Sequence, residues 1–216
     1  MTSERFFIPE EMMKKLIFLL LAFALAAVML AGCKESKTPG DVSDGISTDA
    51  QTTADTEPSE EESALAILEK IWALYAENER FAAAGGDVDH SVADAPGCFD
   101  MSNAGDLNYF LHIPEGQIAN IDEAATLTHM INLNSFTSGV VHLKPGVSAS
   151  DLAKAVRDEI KEMRWMCGFP DRLIIATVGE KYVLIAFGID DFMSIFSSKL
   201  STAFRGAQIL YNEPIG

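Results

Sequence analysis

Hydrophobic residues along the 216-residue chain fall into three regimes. From Leu16 to Met29 they form an unbroken run of about 14, shorter than the roughly 20 that a membrane-crossing helix needs. From Lys34 to about Glu62 large apolar residues nearly vanish, and Ser, Thr, Asp, Glu, Gly and Pro take over, as in Glu57-Pro58-Ser59-Glu60-Glu61-Glu62. From Ser63 onward they return with the periods of helices and strands.

In this last regime Ala64, Leu65, Leu68, Ile71, Trp72 and Tyr75 recur at spacings of three and four, which predicts a helix from about Ser59 to Phe81. Ser59 and Glu62 fit a capping box at its start, and Gly85-Gly86 follows its end. The stretch Asp87–Pro96 reads as polar loop, and a short helix fits Gly105 to Ile113. Ala124–Leu133 and Phe136–Leu143 read as strands, with a turn at Lys144-Pro145-Gly146. Ser148 and Asp151 start a helix whose apolar stripe is Leu152, Val156, Ile160 and Met163, with Val147 stapled onto Leu152.

Gly168 and Pro170 stop that helix. Leu173–Val178 and Tyr182–Phe187 then form a hairpin around Gly179-Glu180-Lys181. Asp190 caps a last helix carrying Phe192, Ile195, Phe196, Leu200 and Phe204, and Gln208–Tyr211 makes a final strand. From Phe136 the order is strand, helix, strand, strand, helix, strand. The expected fold is therefore α+β with a ferredoxin-like split βαβ core, two helices on one face of an antiparallel sheet, and an extra N-terminal strand and helix. A bare sheet face is where a partner is expected.

The opening run has the flanks of an export signal. Lys14 and Lys15 precede it, and Leu30-Ala31-Gly32-Cys33 closes it with the lipobox pattern of bacterial lipoproteins, in which the cysteine is fatty-acylated and becomes the new N-terminus. Residues 1–33 are thus expected to be a lipoprotein signal ending at a lipidated Cys33. Glu4, Glu10 and Glu11 dilute the positive head, which points to a true start at Met12 or Met13. Residues 34–62 cannot bury enough surface to offset the entropy of ordering, so they read as an acidic, disordered tether with a root-mean-square span of roughly 30 Å. Residues 63–216 are left as a single domain of ordinary size.

Composition narrows the partners. A net charge of −16 and an isoelectric point near 4.5 exclude the basic footprint that nucleic acid requires. The same charge disfavours adhesion to anionic lipid, so the expected membrane attachment is the lipid on Cys33. Of three cysteines, Cys98 and Cys167 remain; outside the cytoplasm they either form a disulfide or pack as buried reduced thiols.

The search for chemistry yields little. His90, His112, His129 and His142 lack the spacing of a zinc motif, and no nucleophile elbow, phosphate loop or dinucleotide fingerprint occurs. Asp87, Asp89, His90 and Asp94 crowd one loop, from which a hydrolase centre or a hard-cation site could be assembled, although the spacing is not that of an EF-hand. Cys167 sits in the apolar Trp165-Met166-Cys167-Gly168-Phe169-Pro170 run, which quiets a thiol and marks it as structural. No catalytic residue, cofactor or metal ligand is assigned.

The Trp165–Pro170 run, with Cys167–Leu173, Ile67-Leu68-Glu69-Lys70-Ile71-Trp72 and Gly85-Gly86, resembles an uncharacterised family of bacterial lipoproteins, a domain of unknown function. The resemblance runs from about Ser63 and implies a shared fold and a lipoprotein, with no activity attached. The expected role is a lipid-anchored module facing outside the cytoplasm that binds an envelope protein or a ligand; the alternative is an envelope hydrolase built on Asp87, Asp89, His90 and Asp94.

Overall fold

The computed structural model describes residues 63–216. The expected export segment with Met12, Met13 and Cys33, the expected tether, and the expected Ser59/Glu62 box lie outside the described residues. Within them the protein is α+β: five α-helices and an eight-stranded sheet in which every pair is antiparallel.

Helix α1 (Ala64–Trp72) is capped by Ser63, whose Oγ accepts from Ala66 N at 3.1 Å. It stops well before Phe81, because the aromatic residues beyond Trp72 pack back instead of continuing the spiral. Tyr75 and Phe81 close on the Trp72 ring with centroids 4.8 and 5.3 Å away. The glycines expected to end the helix serve another purpose. Strand β2 (Val92–Ala93) lies within the expected polar loop and β1 (Ala83–Gly85) and β3 (Gly97–Cys98) flank it, and a Cβ at Gly85 would lie 2.2 Å from Gly97 N. Only a residue without a side chain allows that approach.

Two short helices follow, α2 (Asp106–Leu111) and α3 (Glu115–Ile118), and then the long hairpin of β4 (Ile121–His129) and β5 (Phe136–Leu143). Strand β4 ends at His129, not at Leu133, and the hairpin turn holds residues 130–135. Helix α4 (Ala149–Glu162) has the expected cap, with Ser148 Oγ accepting from Asp151 N at 3.2 Å. Met163 lies past its end and is exposed. Strands β6 (Arg172–Val178) and β7 (Tyr182–Gly188) form the second hairpin, followed by α5 (Asp190–Ala203) and β8 (Gln208–Pro214). Asp190 does not cap α5. Ile189 holds that position, Asp171 Oδ2 accepts from Asp190 N at 3.0 Å, and the Asp190 carboxylate pairs with Arg172.

The sheet order is β2-β1-β4-β5-β7-β6-β8, with β3 beside β4. This departs from the ferredoxin-like order, which would place β8 against β5. The β4–β5 hairpin already fills that edge, so β8 takes the free edge of β6. The consequence for the helices follows from handedness. The crossovers β5-α4-β6 and β7-α5-β8 step sideways in the same direction from strands that run oppositely, so right-handed connections put their helices on opposite faces. Both faces of the sheet are accordingly covered. On one, α1 and α5 bury Ile67, Leu68, Phe196 and Leu200 against Val140, Ile174, Ala176 and Leu184. On the other, α2 and α4 bury Leu111, Leu152, Val156 and Ile160 against Val141, Ile175, Val183 and Ile185. The central strands offer no bare face.

Candidate functional site

The loop that sequence singled out is built around a buried carboxylate. Asp87 is 2% exposed, and its oxygens accept from the backbone N–H of Asp89 (2.9 Å), His90 (2.8 Å) and Asp100 (2.7 Å). The His90 ring donates through Nδ1 at 3.0 Å. Burial alone would raise the Asp87 pKa, but the N–H donors of Asp100, His90 and Asp89 and the His90 ring outweigh it and hold the carboxyl below its usual range. Asp87 is thus a clamp between residues 87–90 and 98–100. The other two acids do not converge on it. The Asp89 carboxylate accepts from Asn103 Nδ2, at 3.4 Å, while Asp94 sits at φ +57 with its backbone bonded to Ala83 O and Trp72 Nε1.

The Asp87–His90 pair orients an exposed imidazole, yet the hydrogen bonds of the described residues bring it no hydroxyl or thiol. Nor, among the described residues, do three or more His, Cys, Asp or Glu side chains group to hold a metal ion. His142 pairs with Asp122 at the surface. His112, at φ +52 behind α2, packs between Trp165 and Phe187 with ring centroids at 5.2 Å; burial drives its pKa down to about 4.

A different place stands out, at the end of the sheet where the β4–β5 hairpin turns and α4 passes into β6. There loops 130–135 and 163–170 meet. Asn134 Nδ2 donates to Met166 O at 2.8 Å and to Gly168 O at 3.1 Å, and Asn132 Nδ2 donates to Cys167 O at 3.0 Å. Asn132 Oδ1 accepts from Asn134 N at 3.0 Å, and His129 Nδ1 accepts from Ile131 N and Asn132 N, each at 3.3 Å. Those two bonds place the ring proton on Nε2. Two left-handed residues in succession, Cys167 (φ +63) and Gly168 (φ +127), turn the second loop. Side chains thus tie the two loops together through three backbone carbonyls, while large apolar side chains stand in the open: Ile131 is 83% exposed, Met166 80%, Phe169 55% and Met130 52%. Neither 129–136 nor 163–170 contains an acid, in a chain with 32 of them.

Trp165 sits at the root of this apex, edge-on to His112 and 5.5 Å from Phe187, its buried Nε1 without an acceptor. Of the cysteines, Cys98 lies on β3 beside Ala125 and Cys167 on the apex loop, and both are exposed free thiols, which overturns the buried packing considered for them. Partial burial and the carboxylates of Glu123 and Glu69 push the Cys98 thiol up.

Reading Ala124–Leu133 as one strand hid half of the apex. Asn132 and Asn134 are strand-averse, and they were the signal that the strand stops before them. Against family models, curated proteins and solved structures, the chain has no match.

Proposed function

We propose that this chain is an export lipoprotein, lipidated at Cys33 and held outside the cytoplasm on the 34–62 tether, whose domain is a docking module with the Ile131/Met166/Phe169 apex as its contact surface. The address rests on residues 12–33 alone: two lysines, an apolar run of signal length and the Leu-Ala-Gly-Cys close. The observation that carries the docking reading is the apex itself. Apolar side chains cluster in the open on two loops that Asn132 and Asn134 tie together through the carbonyls of Met166, Cys167 and Gly168, so the exposure is built into the loops rather than left by a gap in the core. The hydrolase alternative has the oriented His90 in its favour, but it lacks the converging partners that acid–base chemistry needs.

A photo-cross-linking residue placed at position 131 in living cells tests the docking reading, with position 180, in the β6–β7 turn at the far end of the sheet, as control. The expected result is a covalent adduct from 131 and none from 180. Equal or absent labelling at 131 contradicts it.

A further inference from the structure

One imidazole, in one protonation state, supports both loops of the apex. His129 ends β4 half-buried, its ring stacked on Phe81 at 5.6 Å and tilted against Phe192. Its Nδ1 accepts from Ile131 N and Asn132 N, each at 3.3 Å, as the oxygen of an Asx turn would. These bonds open the 130–135 turn. That turn positions Asn132 and Asn134, whose amides hold the carbonyls of Met166, Cys167 and Gly168. Support thus runs from a ring lone pair through the hairpin turn to the second loop.

A neutral imidazole has one acceptor nitrogen and an imidazolium has none. Rotating the protonated ring restores nothing, because both nitrogens then carry hydrogen. A proton on Nδ1 therefore excludes the bonds to Ile131 and Asn132. Stacking on Phe81 favours a cation without supplying the acceptor that the turn has lost. The elements packed on the ring are the 76–82 segment, β1 and α5. Of their charged groups, Glu79 pairs with Lys199, Arg80 lies over Trp72, Asp190 pairs with Arg172, Glu77 and Asp191 are exposed, and β1 has none. Among the described residues no ion pair joins any of them to His129. From these observations we infer that His129 is an acid-operated latch on the contact surface: neutral, it closes the turn that presents Ile131 and ties down the Met166 loop, and protonated, it releases both. The consequence for docking rests on the contact surface and export proposed above. An exported domain meets the pH outside its cell, so acidification there makes the apex let go of what it has docked.

The test reads the full chain, labelled with nitrogen-15 and held in detergent micelles, by nuclear magnetic resonance at neutral and mildly acidic pH. Ring nitrogen shifts are expected to show the Nε2–H tautomer of His129 at neutral pH. Exchange of the Ile131 and Asn132 amides, corrected for its intrinsic pH dependence, is expected to quicken on acidification by up to about tenfold per pH unit, the limit for one coupled proton. His129→Asn, whose Oδ1 can stand in for Nδ1, is expected to keep both amides protected throughout. An Nδ1–H tautomer, unchanged exchange, or the same quickening in His129→Asn overturns the latch; the last of these would be general loosening of the fold. The cross-linker at position 131 gives the second readout. Its adduct is expected to fade on acidification in the parent chain and to persist in His129→Asn. An adduct that persists while the two amides open overturns the inference. Opened amides with no adduct at either pH support the latch and remove the docking reading instead.

Discussion

At the scale of single residues, the structure separates histidines that a sequence treats alike. His112 is neutral because its ring lies between Trp165 and Phe187, with a pKa near 4 instead of 6.5. The unfolded chain takes up a proton at this residue below pH 6.5, while the folded chain does so only near pH 4. Stability is therefore lost as pH falls through that window and the loss levels off below it. Between pH 7 and pH 5 the difference is about 2 kcal/mol. Urea midpoints at the two pH values check it: His112→Phe is expected to flatten the change, and an undiminished change in that variant would assign it elsewhere. None of this was legible beforehand, because the burial of His112 comes from a loop more than fifty positions away. Asp87 shows the reverse. Its crowded loop was visible as a cluster of oxygens, but the donors that turn it into a clamp are backbone N–H groups that carry no signature in the sequence.

At the scale of elements, patterns with a strong local cause were read correctly. Strand β5 has the expected limits, and α4 begins at Ser148 as its capping box requires. Failures fell where tertiary contact overrode the local signal, as at the end of α1 and in the short strands between Ala83 and Cys98. Gly139, in the middle of β5, shows such a contact. A Cβ there would sit 2.5 Å from the buried Leu111 side chain of α2, so the strand carries a glycine where the helix presses closest. Gly139→Ala is expected to destabilise by about 1–3 kcal/mol through overpacking. Paired with Leu111→Ala it should cost less than the sum of the two single changes, because the smaller side chain gives the new methyl room. Chemical denaturation of the four species measures this, and strict additivity would show that the two positions do not press on each other.

At the scale of the whole molecule, the element order from Phe136 to Pro214 was legible but the strand order was not. Periodicity reports what each segment is, whereas the edge that β8 joins depends on the β4–β5 hairpin having taken the other. One clue was present. Leu173–Val178 and Val183–Phe187 are almost continuously apolar, the pattern of strands covered on both faces, whereas a sheet with helices on one side only would alternate. With both faces covered, the proposed contact surface lies at an end of the sheet and not on its face. One end bears the start of the domain and the other the apolar apex, which is why tether and apex together carry the functional account. That account stands on Cys33. The most direct measurement is the mass of the N-terminal peptide of the chain taken from its native membrane: the account predicts a chain beginning at Cys33 with the added mass of its acyl groups, and a peptide containing Phe6 and Phe7, or an unmodified Cys33, would contradict it.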